Sequence, residues 1–255
     1  WTLHDYKLLC PAYTFYSKGK PCEDCLNGAT PRCFKKRCVK DSALASFIAE
    51  REAQRWNRSL LNGITDAFIC PSAFMARKMQ EGGFAAEKLH VLHNFIDADK
   101  MTGEKPAAKM QYCYVGRLSI EKGVDTLLSV AAALPYPLIV LGTGPLENGL
   151  RAKYKDSANI EFRGQCAWEE CKRVLAESKF SVIPSEWYEN NPLSVIESLS
   201  LGTPVLGADI GGIPELIEQG RTGELFESGK ADSLAIGIRE LFENNYTFNQ
   251  AELME

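Results

Sequence analysis

The chain has 255 residues, a formal net charge of −4 and 45% hydrophobic residues. This composition is typical of folded domains, and the length allows one large core or two modest ones. The acidic balance argues against general nucleic-acid binding. No apolar run reaches the roughly 18 residues that a membrane-spanning helix needs, because Pro135 and Pro137 interrupt the segment 131–141.

Charge is unevenly distributed along the chain. Residues 1–40 hold eight Lys and Arg residues against three acidic residues, whereas the remainder carries a net charge of −9. A basic end can be a solvated loop surface, or it can face phosphate groups or an anionic membrane. We expect a cytoplasmic protein, in which residues 18–40 are the candidate for peripheral contact with the inner face of the membrane.

The N-terminus reads like the end of a buried strand rather than a natural start. The chain begins with Trp1 instead of Met, and Leu3 is followed directly by His4 and Asp5. We therefore expect an N-terminally truncated chain, in which an upstream targeting signal would not be visible.

The chain has nine cysteines, an odd number that fits a reducing compartment better than a disulfide framework. Four of them cluster as Cys22-x2-Cys25-x7-Cys33-x4-Cys38 in the loop 10–40, which is rich in Gly, Pro and Lys. Because this loop has little apolar content, it needs a crosslink to stay ordered. Four thiolates around a structural zinc ion would supply one, and two disulfides or four free thiols are the alternatives.

After this loop the sequence predicts a helix over 43–61, a strand over 66–70, a helix over 72–81 and a strand over 89–92. The next stretch is polar and aperiodic and contains Gly103 and Pro106, so we predict a linker at 100–109. Residues 1–99 are then the later part of one domain, and residues 110–255 form a second domain.

From residue 111 onward, strands alternate regularly with helices. The strands are predicted at 111–115, 138–141, 159–162, 180–183 and 204–206, and the helices at 124–134, 146–153, 168–177, 192–201 and 231–243. This alternation predicts a doubly wound α/β domain whose parallel sheet is covered on both faces. Ligands of such sheets bind at the carboxyl ends of the strands, where loops lead into helices.

Two carboxylates lie eight residues apart where one predicted strand passes into a helix. Asn191 is a good helix N-cap and Pro192 suits the first helical position, which leaves Glu189 in the loop and Glu197 inside the helix. Glu197 is the only charged residue from 190 to 208. Since a lone carboxylate is costly to bury, it needs either the hydroxyl groups of a ligand or a salt bridge to a cation elsewhere.

Two further loops follow predicted strands. Gly116 and Arg117 open the first, and Lys122 lies five residues after Arg117, a spacing suited to holding a diphosphate. Gly142 and Gly144 open the second, where the absence of a side chain lets a ligand approach the backbone. Taken singly, a solvated pair of cations and a plain turn are the commoner explanations.

Taken together, these motifs resemble the C-terminal half of the retaining glycosyltransferases of family 4, the glycosyl transferases group 1. The matching series is Gly116-Arg117-Leu118-Ser119-Ile120-Glu121-Lys122-Gly123, Gly142-Thr143-Gly144-Pro145, Phe162-Arg163-Gly164, Glu189-x7-Glu197, Gly202-Thr203-Pro204-Val205 and Gly211-Gly212-Ile213-Pro214-Glu215. Residues 3–6 and 88–97 are similar to parts of the family's N-terminal domain. The resemblance implies the GT-B fold, with two Rossmann-like domains built on parallel sheets. The first, acceptor-side domain would be only partly present, and the second would bind the nucleotide sugar.

The resemblance also implies which residues act in catalysis. Arg117 and Lys122 would bind the donor diphosphate and stabilise the leaving nucleotide without a metal ion. Glu189 would contact hydroxyl groups of the donor sugar, and His4 would face that sugar from the other domain.

The remaining donor contacts follow from the same resemblance. Glu197 would bind the ribose hydroxyls, and the backbone at Gln165 would meet the base. The other residues expected to approach the donor are Gly116, Gly142, Gly144, Asn190, Asn191, Pro192 and Leu193.

The sequence therefore predicts a retaining enzyme that moves a hexose from a UDP- or GDP-sugar to a carbohydrate or lipid-linked acceptor, in cell-surface polysaccharide or glycolipid synthesis. A glycosidase with two catalytic carboxylates is excluded, because a hydrolase has no use for the Arg117 and Lys122 loop. A catalytically incomplete nucleotide-sugar-binding fragment is one alternative, and a GT-B nucleotide-sugar epimerase is another.

Overall fold

The computed structural model describes residues 1–28, 32–97, 101, 106–107 and 109–243. The chain divides into two compact units: a first unit of Trp1–Asn94 and Trp187–Asn191, and a second unit of Phe95–Glu186 and Pro192–Glu255. The predicted linker at 100–109 lies largely outside the described residues. The grouping of Trp187–Asn191 with the first unit has no counterpart in the sequence prediction.

In its described residues, the first unit has short strands and helices around an aromatic core. They are β1 (Tyr16–Ser17), β2 (Lys20–Pro21), α1 (Arg32–Lys36), α2 (Ala43–Arg55), α3 (Arg58–Ile64), β3 (Phe68–Cys70), α4 (Ala73–Glu81) and β4 (Leu89–Val91). β1 and β2 pair antiparallel, whereas β3 and β4 pair in parallel. Thr2 bridges to Ile69 in parallel and so extends the β3–β4 sheet. Phe15, Phe68 and Met75 are fully buried in the core of this unit.

The single helix predicted over 43–61 is wrong, because the chain breaks between α2 and α3. Asn57 adopts an extended conformation with a ψ angle of 159°, and its side-chain oxygen accepts a hydrogen bond from the Leu60 N–H at 3.0 Å. Trp56 also leaves the helical region, with a ψ angle of 59°. A capping asparagine inside an otherwise helical pattern therefore starts a second helix.

The second unit is a doubly wound α/β domain, as predicted. Its elements are β5 (Tyr112–Val115), α5 (Val124–Ala132), β6 (Leu138–Leu141), α6 (Glu147–Lys153), β7 (Ile160–Gly164), α7 (Trp168–Glu177), β8 (Ser181–Ile183), α8 (Leu193–Ser200), β9 (Val205–Ala208), β10 (Gly223–Phe226) and α9 (Ala231–Glu243). The strands form one parallel sheet in the order β10-β9-β8-β5-β6-β7. No helix in the described ranges of the chain is long and apolar enough to cross a membrane.

One strand of this sheet is absent from the sequence prediction. β10 is four residues long at the edge of the sheet, and only its end residues, Gly223 and Phe226, are buried. Such a strand shows neither the continuous apolar run of a central strand nor a clear alternation. Its local sequence therefore resembles that of a loop.

Helix α8 begins one residue later than predicted. Pro192 holds the capping position with φ −71° and ψ 120°, and the first helical residue is Leu193. Asn191 does not cap the helix, because its side-chain oxygen accepts a hydrogen bond from the Asn94 N–H at 3.0 Å instead.

Candidate functional site

A cavity of about 630 Å³ opens at the carboxyl ends of β5, β6 and β7 in the second unit. β5 pairs with β6 on one side and with β8 on the other, so the chain reverses its direction of winding at this strand. This is the switch point at which open parallel sheets bind ligands. The lining residues are Val115, Gly116, Arg117, Leu141, Gly142, Thr143, Gly144, Pro145, Gln165, Cys166 and Cys171.

The two glycines after β6 are required by how closely the loops approach each other. A Cβ atom on Gly142 would lie 1.9 Å from the backbone oxygen of Gly116, and Gly142 has a φ angle of 132°. A Cβ atom on Gly144 would lie 2.3 Å from the backbone oxygen of Leu118. The Leu118 N–H also donates to the Thr143 oxygen at 2.9 Å. The two predicted loops therefore form one continuous wall of the cavity.

Arg117 brings a cation to this wall. Its side chain is exposed and makes no ion pair or side-chain hydrogen bond within the described residues. Its backbone is fixed instead, because the buried Tyr114 hydroxyl donates to the Arg117 oxygen at 2.8 Å. The guanidinium group is thus available to an anionic ligand on a well-held loop.

Lys122 is not among the residues that line the cavity. It ends a 3₁₀ helix, Ile120–Lys122, and is half-buried. The chain turns sharply after it, because Gly123 has a φ angle of 65° and a Cβ atom there would lie 1.9 Å from the Pro184 oxygen. The structure therefore brings Arg117, but not Lys122, to the cavity wall.

Glu197 lies on α8, whose buried face is held by Ser198. The Ser198 hydroxyl bonds to the Ser181 hydroxyl at 2.7 Å and donates to the Thr203 oxygen at 3.0 Å. Within the described residues, the half-buried Glu197 carboxylate has neither an ion pair nor a hydrogen bond. Burial raises the pKa of this carboxyl above its ordinary value. The salt bridge considered from the sequence is therefore not found in the described part of the chain.

Cys166 and Cys171 are cavity residues that the sequence did not suggest. Cys166 directly follows Gln165, and Cys171 lies on the first turns of α7. Burial raises the pKa of the Cys171 thiol, and the Cys166 thiol and the Glu197 carboxylate add to the rise. Glu197 itself is not among the residues that line the cavity. Single cysteines in predicted regular structure carry no signal of such a position.

The Glu189 loop belongs to the first unit. Glu189 is buried, and Asn190 donates to the Leu3 oxygen at 3.1 Å while accepting from the Ser72 hydroxyl at 3.1 Å. Asn191 and Asn94 bond reciprocally, since the Asn94 side chain also donates to the Asn191 oxygen at 2.8 Å.

The buried side-chain nitrogen of Asn191 has no hydrogen-bond partner within the described residues. His4 lies in the same unit and is exposed. Of the two residues after this loop, Pro192 is half-buried and Leu193 is exposed.

The four clustered cysteines are also in the first unit, and all are free thiols. Among the described residues, no group of three or more His, Cys, Asp or Glu side chains that could hold a metal ion is found. The zinc site at Cys22, Cys25, Cys33 and Cys38 stays a prediction.

Comparison with known families decides the classification. The model of the family described as "Glycosyl transferases group 1" matches residues 96–254, and that of "Glycosyltransferase Family 4" matches residues 45–100. The first match covers more than half of the chain. The chain belongs to the glycosyl transferases group 1 family. The family predicted from the motif series is thereby confirmed.

Several relatives of this group 1 chain have been named. It is 28% identical over 204 residues to the sulfoquinovosyl transferase SQD2 of Arabidopsis thaliana. This alignment covers 73% of the chain and 40% of SQD2. It is 28% identical over 180 residues to the amylovoran biosynthesis glycosyltransferase AmsK of Erwinia amylovora, which covers 64% of the chain and 44% of the relative. The chain thus spans less than half the length of these curated relatives.

Solved structures show the same fold. HepE of Anabaena, in complex with UDP and glucose, superposes with a TM-score of 0.69 and 21% identity, covering 89% of the group 1 chain and 70% of HepE. The lipopolysaccharide outer core galactosyltransferase WaaB in its apo form gives a TM-score of 0.65 and 17% identity, covering 83% and 66% of the two chains. At these identities the likeness concerns the fold, and it confirms the predicted GT-B class.

Proposed function

We propose that this protein is a retaining glycosyltransferase that moves a hexose from a UDP- or GDP-sugar to a carbohydrate or lipid-linked acceptor. The observation that carries the proposal is Arg117, an exposed cation without an ion pair in the described residues. It lies on the wall of the cavity lined by Gly116, Gly142 and Gly144 at the carboxyl ends of parallel strands, in a chain of the group 1 family. The UDP complex of HepE favours a uridine nucleotide.

The chemistry of glycosyl transfer explains why a fixed cation is needed there. Cleavage of the glycosyl–phosphate bond places negative charge on the departing diphosphate. A cation held in position stabilises that charge more in the transition state than in the ground state. In this scheme Arg117 and Lys122 bind the diphosphate, a role that the family pattern gives to them rather than to a metal ion.

The other side chains then hold the rest of the donor. Glu197 accepts hydrogen bonds from the ribose hydroxyls, which would satisfy a carboxylate that has no protein partner in the described residues. The backbone at Gln165 meets the base. Glu189 contacts the donor sugar, and His4 faces the sugar from the first unit.

The acceptor class follows from the relatives. AmsK is named for amylovoran biosynthesis and SQD2 for sulfoquinovosyl transfer, so surface polysaccharide and glycolipid acceptors are both consistent with the family. A peripheral contact with an anionic membrane is part of the proposal. Its basis is a set of exposed basic side chains between residues 18 and 40: Lys18, Lys20, Arg32, Lys35, Arg37 and Lys40.

Calorimetric titration of the chain with UDP and with GDP tests the donor assignment. Arg117→Ala and Lys122→Ala should each weaken binding of the preferred nucleotide without lowering the melting temperature. Arg239→Ala is the matched control, because Arg239 is an exposed arginine on α9 that does not line the cavity. Unchanged affinity in both loop variants would refute the diphosphate assignment.

A donor screen that measures released nucleoside diphosphate tests the activity itself. Release that depends on an acceptor, with retained anomeric configuration in the product, is the expected result. Nucleotide binding without turnover would favour the incomplete binding fragment, and interconversion of two nucleotide sugars would favour the epimerase.

A further inference from the structure

Five cysteines line one small cavity in the first unit. They are Cys10, Cys22, Cys25, Cys33 and Cys38. The cavity has a volume of about 10 Å³, close to that of a single water-sized sphere. The rest of its lining is Ala12, Tyr16, Ser17, Asp24, Arg32 and Lys36.

Four of these thiols lie against one apolar core. Cys10 and Cys33 are buried within it, and Cys25 and Cys38 pack on it half-buried. The backbone beside two of them is also fixed, because the half-buried Arg58 guanidinium donates to the Leu9 oxygen at 3.1 Å and to the Cys25 oxygen at 2.7 Å. These four thiols therefore form an inward-facing set.

Cys22 differs from this set. It does not pack on the apolar core, and its sulfur accepts a hydrogen bond from the Lys36 ammonium group at 3.6 Å. Lys36 is also bound to Asp24 at 2.5 Å. Cys22 thus lies at the polar rim of the cavity, although its spacing from Cys25 suggested that the two act together.

The backbone of the segment that carries these cysteines is strained. Among the described residues, every non-glycine residue with a positive φ angle lies between 13 and 41: Tyr13, Phe15, Lys18, Arg37, Lys40 and Asp41. Such conformations are costly and persist only where the surrounding structure imposes them. Regular structure is sparse in this segment, since β1 and β2 have two residues each and α1 has five. Two buried side chains of α2 hold part of it, because Glu50 accepts from the Phe34 N–H and Ser46 from the Val39 N–H, each at 3.0 Å.

We propose that Cys10, Cys25, Cys33 and Cys38 bind one structural zinc ion, and that Cys22 is not a ligand. Four thiolates in a tetrahedron are a common structural zinc site. Each thiol loses its proton on binding, so four protons are released and the site carries two negative charges. Arg32, which also lines the cavity, offsets part of that charge, whereas Lys36 is already paired with Asp24. In the described residues no group of three or more His, Cys, Asp or Glu side chains could hold a metal ion as it stands, so the proposal requires the four thiols to rearrange when zinc binds.

The test is the zinc content of the chain purified without added metal, measured by elemental analysis. Wild type and Cys22→Ser should each hold about one zinc ion per chain, whereas Cys10→Ser should hold almost none. Because Cys10→Ser could also fail to fold, Cys10→His supplies a second variant. It restores a zinc ligand at the same position and should recover zinc binding.

The outcome that overturns the proposal is equally defined. Wild-type chain without zinc, with these thiols free or in disulfides by mass spectrometry, would refute the metal site. Loss of zinc in Cys22→Ser, or its retention in Cys10→Ser, would refute the ligand set. Neither result bears on nucleotide binding, which the cysteine variants should leave unchanged.

Discussion

The hydroxyl group of Tyr114 donates a hydrogen bond of 2.8 Å to the backbone oxygen of Arg117. The two residues lie on opposite sides of the point where β5 ends, so this bond fixes how the loop leaves the sheet. Space is tight at the same place, because a Cβ atom on Gly116 would lie 2.9 Å from the Tyr114 hydroxyl. The direction of the Arg117 side chain thus depends on a tyrosine that does not line the cavity.

Tyr114→Phe tests this dependence. Removal of one hydrogen bond of ordinary strength should weaken binding of a nucleoside diphosphate by roughly two- to tenfold. The aromatic ring stays, so the core packing and the melting temperature should change little. Calorimetric titration with UDP and GDP, with a melting curve on the same sample, measures both quantities.

Tyr112→Phe is the matched control for that variant. Tyr112 is buried on the same strand, and its hydroxyl has no hydrogen-bond partner within the described residues. Its loss should therefore leave nucleotide affinity unchanged and stability unchanged or slightly higher. Equal effects of the two substitutions on affinity would show that the Tyr114–Arg117 bond does not position the loop.

Gly142→Ala should damage the cavity through the backbone. The new Cβ atom would lie 1.9 Å from the Gly116 oxygen, and the φ angle of 132° is unfavourable for alanine. We expect a loss of about 1 to 3 kcal/mol in the free energy of unfolding, together with weaker nucleotide binding. Gly149→Ala in α6 is the control, because a Cβ atom there would have no other atom within 4 Å and alanine favours helix. A neutral Gly142→Ala would contradict the close packing of the two loops.

Much of the second unit could be predicted because its central strands are buried on both faces. β6 is Leu138–Leu141 with all four residues buried, a signal that depends only on local sequence. The edge strand β10 and the break between α2 and α3 could not be predicted in this way. β10 shows neither a continuous apolar run nor a clear alternation, and the break between α2 and α3 depends on one capping side chain, that of Asn57.

The site shows the same division between local and long-range information. Arg117, Gly142 and Gly144 follow strands directly, so their place at the carboxyl end of the sheet followed from the sequence. The position of Cys171 on the cavity wall depends instead on how α7 packs. The approach of Cys10 to the other cysteines depends on a strained loop with no local signature.

Arg58→Met should destabilise the first unit. The Arg58 guanidinium donates to four backbone oxygens from three separate segments of the chain, those of Leu9, Cys25, Leu26 and Gly82. The Cys25 oxygen would still accept from the Gly28 N–H at 3.3 Å, but the other three oxygens would lose the guanidinium donor, which should cost about 2 to 4 kcal/mol in the free energy of unfolding. Denaturant titration measures the loss. Arg55→Met, on the exposed surface of α2, should have almost no effect, and a similar loss in both variants would argue against this role.

Glu197→Gln separates ligand binding from stability. The Glu197 carboxylate has no ion pair within the described residues, so no cation loses its partner when this charge is removed. The substitution also removes a partly buried charge. The melting temperature at neutral pH should stay the same or rise. Donor affinity should fall by roughly 1 to 3 kcal/mol, because the ribose hydroxyls lose a charged acceptor. Glu240→Gln, an exposed glutamate on α9, is the control and should change neither quantity.

The pH dependence of stability gives Glu197 a second, independent test. Burial raises the pKa of this carboxyl in the folded chain above the ordinary value of 4.5, so the folded state binds the proton more tightly than the unfolded state. Wild type should therefore gain stability relative to Glu197→Gln as the pH falls from above the folded pKa to below the unfolded one. Melting curves of both proteins across this range measure the difference. A loss of about 3 to 5 kcal/mol in the variant at neutral pH, with unaltered donor affinity, would instead indicate a broken buried ion pair.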